Sequence, residues 1–203
     1  MFDSVMNYDF RKNCRDFFGQ ETIDAREFSG RVTDMLHRYP TGILQGQLNL
    51  LDSHDVNRFL SYCQGDIRRF RLAEVFLFTA PGAPSVFYGD ELGMDGNSEF
   101  TLRGPMLWEY PKHDERAFFK SLIALRKENE ALMTGNFRTV AADENGLLIY
   151  QRERSGQRIT VALNGRGNTV SIKKNVSFGT AVLSYALAEG ELGPFGYAVF
   201  VEK

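Results

Sequence analysis

The sequence is poor in the residues that would make it a disulfide-stapled, metal-binding or membrane-spanning chain. Only two of its 203 residues are cysteine, Cys14 and Cys63. Two cysteines make no disulfide framework, and neither stands in a metal-ligand spacing, so both read as reduced thiols in a helix or core. Histidine is equally scarce: His37, His54 and His113 share no ligand spacing, and no metal or cofactor is expected. No stretch approaches the roughly 18 apolar residues of a membrane span. The first residues, Met1 to Ser4, lack the basic start and apolar run of a signal peptide. A formal net charge of -2 leaves no basic excess for nucleic acid. Arg11, Arg15, Arg68, Arg69 and Arg71 do cluster, but acidic residues alternate with them, which suits a solvated helix face.

What the chain does have is apolar bulk: 43% of its residues are hydrophobic and 17 are phenylalanine, enough for one large domain or two modest ones. Its two halves differ in texture. In the first, Phe2 to Asn7, Gln47 to Leu51 and Ser85 to Tyr88 are short apolar runs without clean alternation, as expected of parallel strands buried on both faces. Helical patterns lie between them. Asp24 and Glu27 form a candidate capping box before Phe28, Val32, Leu36 and Tyr39. Asp66 precedes Ile67, Phe70, Ala73 and Leu77, and a third helix begins near Asp114 with Phe118, Leu122 and Leu125 on one face. Strand-helix alternation implies a parallel α/β layer. A complete eight-stranded βα barrel needs about 250 residues, so three such units are either a small open sheet or a slice of a barrel.

After a short join near Met133-Thr134-Gly135 the pattern becomes strand upon strand. Phe137 to Ala142, Leu147 to Arg152, Arg158 to Asn164, Thr169 to Ile172, Ala181 to Ser184 and Tyr197 to Val201 are the candidates. Asn145-Gly146, Ser155-Gly156 and Gly165-Arg166-Gly167 supply turns. The expected organisation is an α/β unit over residues 1–134 and an antiparallel β-sandwich over 135–203, packed together.

Two clusters stand where strands end, and the carboxyl ends of strands are where α/β folds bind ligands. The first is Asp52-Ser53-His54-Asp55. Consecutive residues cannot line up a Ser-His-Asp hydrolase triad, but an imidazole and a carboxylate can hydrogen-bond vicinal hydroxyls, and a carboxylate can stabilise positive charge on a sugar ring. The competing reading, in which Asp52 or Asp55 caps the next turn, has equal weight. The second cluster is Tyr88-Gly89-Asp90-Glu91-Leu92-Gly93, followed by Glu99, Arg103 and Trp108. For Asp90 and Glu91 a salt-bridge or loop role is the safer reading, and for the single tryptophan burial between domains.

The segments FDSVMNY (Phe2 to Tyr8), LNLLDSHDVNR (Leu48 to Arg58), PGAPSVFYGDELGM (Pro81 to Met94) and RGPMLW (Arg103 to Trp108) resemble successive landmarks of α-amylase family glycoside hydrolases. They are most similar to the cyclomaltodextrinase, neopullulanase and maltogenic amylase group. LIALRKENEAL (Leu122 to Leu132) resembles the helix that leads into that family's C-terminal β-sandwich. The resemblance implies that the three units are the last three of a (β/α)8 barrel. It implies that Asp55 is the third catalytic carboxylate, that His54 binds the same sugar, and that Glu99 and Arg103 contact a neighbouring one, with glutamate at 99 where the family pattern has aspartate. It also implies a retaining cleavage whose aspartate nucleophile and glutamate acid/base lie on earlier strands than this sequence contains. A truncated, inactive C-terminal portion that acts on maltodextrins or cyclodextrins when whole is therefore expected. Self-association through uncovered sheet edges and a cytoplasmic location go with it. The rival reading is a non-catalytic carbohydrate-binding or interaction module using Phe195 and Tyr197, for which core packing is the favoured role.

Overall fold

The computed structural model describes residues 4–109, 113–174 and 180–202. Three parallel strands lie side by side in chain order, β1 (Met6–Asn7), β2 (Leu48–Leu50) and β3 (Ala83–Ser85). Between the first two come α1 (Tyr8–Cys14), a π-helical turn at Arg15–Gly19, α2 (Ala25–His37) and α3 (Thr41–Gly46). Between the second and third come α4 (Phe59–Tyr62) and α5 (Ile67–Thr79). Sequential parallel order with helical crossovers is the pattern of one arc of a βα barrel. Phe2 and Asp3 of the first expected strand lie outside the described residues.

The third strand sits earlier than its apolar run suggests. Leu48, Asn49 and Leu50 pair with Ala83, Pro84 and Ser85, while Val86 to Tyr88 continue without a ladder. Proline has no N–H to donate, which an outer strand tolerates. Gly82, at φ +108°, fixes the entry: a Cβ there would meet the Asn49 amide at 2.6 Å. Asn49 donates to the Pro81 carbonyl at 2.7 Å and accepts from Asn7 at 2.9 Å, so the row behind the sheet is polar and fully bonded.

Both expected caps form, but the capping box does not close, since the Glu27 carboxylate turns to Arg31 instead of reaching back. Asp24 accepts from the Glu27 amide and Asp66 from the Arg68 amide, and each opens a 13-residue helix. The α2 helix stops before Tyr39, since a residue preceding proline (here Pro40) disfavours the helical region. Its buried stripe of Phe28, Val32 and Met35 joins Phe10, Phe17, Phe18 and Phe76 in one aromatic core. Ring centroids there are 4.7 Å apart for Phe17–Phe28 and 5.1 Å for Phe28–Phe76.

Beyond Gly89 follow a 3-10 turn (Asp90–Leu92), α6 (Glu99–Arg103), α7 (Arg116–Glu128) and α8 (Glu130–Thr134). Then a curled antiparallel sheet begins: β4 (Asn136–Ala142), β5 (Leu147–Arg154), β6 (Gln157–Asn164), β7 (Val170–Ser171), β8 (Ala181–Ala188) and β9 (Glu191–Glu202). The chain is thus an α/β partial barrel followed by an antiparallel β unit. One face of the sheet (Leu148, Tyr150, Val161, Val199) merges with the helical core, and the other closes a core of its own around Ile149, Ala162, Leu192 and Phe200. The last two strands are longer than the sequence suggests. The strand expected at Tyr197 to Val201 begins at Glu191, and around Gly193-Pro194-Phe195-Gly196 β9 changes neighbours, from β7 at Glu191–Leu192 to β6 at Tyr197–Glu202.

The arginine cluster is not a solvated face. Arg11 and Arg69 are buried; Arg11 donates to the Leu51 and Asn57 carbonyls at 2.8 Å each, and Arg69 to those of Phe18, Cys63 and Gly19. Loop carbonyls left without ladder partners need buried donors, and a guanidinium supplies five. Cys14 and Cys63 are free and buried.

Candidate active site

Strand β2 ends at Leu50, and the next eight residues send two acids in opposite directions. Val56 bonds back to the Ser53 carbonyl, and the Ser53 hydroxyl accepts from the Asp55 amide at 3.2 Å. This tight turn puts His54 and Asp55 at its tip. Arg11 holds both ends of the loop through Leu51 and Asn57.

Asp55 is half exposed, its side chain 53% accessible. Its Oδ1 accepts from Arg103 Nη2 at 3.1 Å and lies 3.2 Å from His54 Nε2. Among the described residues Oδ2 takes no protein hydrogen bond. Arg103 also donates from Nε to the His54 carbonyl at 3.3 Å, and its Nη1 stands 3.9 Å from Glu99 Oε1. All four residues singled out in the sequence therefore meet, although Glu99 and Arg103 lie more than 40 positions along the chain from His54 and Asp55. The intervening loop makes this possible. The Tyr88 hydroxyl donates to the Leu102 and Gly104 carbonyls and ties down the end of α6, while Ser98 and Thr101 cap its start reciprocally.

Asp52 turns inward and is buried with Arg58, Glu74 and Asp90. It takes the capping role, accepting from the Phe59 amide at 2.6 Å. Asp90 accepts from the Phe87 amide at 3.0 Å and faces Arg58 Nη1 at 3.4 Å, while Glu91 accepts from the Gly89 amide. Both acids of the second cluster thus serve the loop. Arg58 lies over the Phe87 ring at 4.6 Å and the Tyr88 ring at 4.9 Å. Burial pushes the Asp52 carboxyl up to about 6. Burial, then the neighbouring acids, pushes Asp90 and Glu74 well above the usual carboxylate range. Glu74, on α5, has no hydrogen-bond partner for either oxygen among the described residues. No signal in the sequence marks it, because it occupies an ordinary helical position.

Trp108 is 69% exposed rather than buried between domains. The tryptophan stands on a surface turn beyond α6. Tyr197 is buried, and Phe195 packs on the core beneath the Arg68 guanidinium at 5.0 Å. Among the described residues no three His, Cys, Asp or Glu side chains gather so as to hold a metal ion. No described helix is long and apolar enough to cross a membrane.

A strand-end carboxylate gripped on one oxygen by arginine and histidine, with the other oxygen free of partners among the described residues, is suited to hydroxyl recognition and to stabilising positive charge. Comparison with known proteins gives the family. The family model "Alpha amylase, catalytic domain" matches residues 1–117. A cyclomaltodextrinase from Thermoanaerobacter pseudethanolicus is 41% identical over 165 residues, which is 80% of this chain and 29% of that protein. Neopullulanase 2 from Thermoactinomyces vulgaris is 41% identical over 174 residues, covering 84% of this chain and 30% of that one. Among solved structures, the maltogenic amylase from S. marinus superposes with a TM-score of 0.86 at 28% identity, covering all of this chain and 29% of its own. The chain spans less than a third of the length of the relatives it matches. With the sequential parallel arc, the strand-end acids and these matches together, the chain belongs to the α-amylase family of glycoside hydrolases.

Proposed function

We propose that this chain supplies the third carboxylate of a retaining α-glucosidic hydrolase acting on maltodextrins or cyclodextrins, and that Asp55 is that carboxylate. The observation that carries the reading is the Asp55–His54–Arg103 contact set at the carboxyl end of β2. In this reading Asp55 holds and distorts the sugar at the cleavage point and supports the charge of its transition state. His54 bonds the same sugar, and Arg103 with Glu99 holds a neighbour. No cofactor enters the scheme. The scheme places substrate on the outer side of the loop, where the second Asp55 oxygen has no partner among the described residues.

Retaining cleavage needs two carboxylates about 5–5.5 Å apart, one as nucleophile and one as acid/base. Asp55 serves neither role, and the other acids at these strand ends, Asp52 and Asp90, are buried and committed to backbone amides. A polypeptide of these 203 residues alone is therefore expected to leave maltotriose and cyclodextrin intact. Reducing-end release measured on the pure chain tests this; robust hydrolysis would overturn the assignment of roles. The binding-module alternative gains no support, since the aromatic residues it needs in the β unit are packed into the core. A complete small three-stranded fold is also disfavoured, because β1 and β3 are outer strands without a further partner among the described residues. A cytoplasmic setting belongs to the same proposal, supported by two free buried thiols.

A further inference from the structure

The α6 helix offers one outward side chain for which the proposed site has no use so far. Leu102 turns into the core, and the reciprocal Ser98–Thr101 cap fixes how the helix is presented. Glu99, Phe100 and Arg103 are spaced three and four positions apart and share one face. Arg103 on that face reaches Asp55. Phe100 is 82% exposed, the most open large hydrophobic side chain among the described residues. A single exposed phenylalanine signifies nothing by itself; its position beside a polar clamp does. A pyranose ring has a rim of hydroxyls and two flat C–H faces. His54, Asp55 and Arg103 supply donors and acceptors for the rim but no apolar plate. Of the nearby rings, Phe87 and Tyr88 lie against the Arg58 guanidinium. Phe100 stacks on no other ring and under no cation among the described residues.

We infer that Phe100 is a sugar-stacking residue, its ring lying against the C–H face of one glucose unit of an α-glucan whose hydroxyls are held by Arg103 and Asp55. This inference rests on the reading that Asp55 belongs to a sugar site. The ligand class is an unbranched α-glucan long enough to cover both the clamp and the ring.

The test is titration of the 203-residue chain with maltoheptaose. Calorimetry gives the affinity, and the fluorescence of Trp108, the sole tryptophan, gives an independent signal. Wild type should bind. Phe100→Tyr and Phe100→Trp should keep the affinity within about twofold, while Phe100→Ala and Phe100→Leu should each weaken it by about tenfold or more, a loss of about 1.4 kcal/mol. An exposed position makes misfolding of these variants a minor concern, and circular dichroism checks it. If wild type binds, Asp55→Ala weakens binding, and either Phe100→Ala or Phe100→Leu binds like wild type, the stacking role falls and the reading of Asp55 stands. If wild type binds and Asp55→Ala binds equally well, the Asp55 reading falls and this inference with it. Failure of wild type to bind overturns both.

Discussion

Asp52 and Asp55 stand three positions apart and occupy opposite environments. Asp55 is open to water and gripped by Arg103; Asp52 is buried, and burial raises its carboxyl to about 6. An acid that holds its proton more tightly when folded adds stability below its unfolded value, 3.8 here. That stability is lost as pH rises through about 6. The loss is on the order of 2–3 kcal/mol, and Glu74 and Asp90, raised by the same burial, extend it to higher pH. Asp52→Asn keeps an oxygen for the Phe59 amide and removes the titration. Urea midpoints at pH 4, 5, 6 and 7 should fall less steeply in the variant than in wild type, and parallel slopes would contradict the assignment. Spacing alone leaves open which of the two acids faces out, and only the family resemblance singles out Asp55. Capping and ligand recognition call for the same residue type, and only the Ser53 turn and the Arg11 anchors separate them.

Between elements, two arginines, Arg152 buried and Arg126 half-buried, do what no local pattern announces. Arg152 on β5 donates to the carbonyls of Thr79, Gly135 and Asn136, and Arg126 on α7 to those of Phe78, Ala80 and Gly82. Together they gather the end of α5, the approach to β3 and the start of the β unit. Replacing Arg152 with methionine leaves three carbonyls without that donor and should cost about 2–4 kcal/mol. Lysine, which lacks the planar fork, should recover only part of this; denaturation of both variants provides the comparison, and a change under about 0.5 kcal/mol would remove Arg152 from this role. Helix starts at Asp24 and Asp66 were legible because a cap is local chemistry. The roles of Arg152 and Arg126 and the length of β9 were not, since both depend on carbonyls and neighbours far along the chain.

Across the whole molecule, the sheet has one well-covered face and one open one. Asn7 and Asn49 point to the α2 side, where Asn7 also approaches the Met35 sulfur at 3.6 Å. On the opposite side Met6 is 44% and Leu48 38% exposed, with Val5 and Val86 exposed nearby. Unpaired parallel edges beside apolar surface favour association. Light scattering on the pure chain should give a mass above that of one copy, rising with concentration, and a clean monomer at high concentration would count against it. The barrel arc was legible from three apolar runs and the helices between them, whereas the curl of the β unit depends on strand exchanges that turn dipeptides do not specify.

The most direct test puts the chain into a working setting by substituting it for the matched stretch of a cyclomaltodextrinase relative. The chimera should hydrolyse cyclodextrin, and Asp55→Asn should lower kcat by about 10³-fold with the fold intact. A chimera whose kcat stays within about twofold after that substitution would contradict the assignment of Asp55.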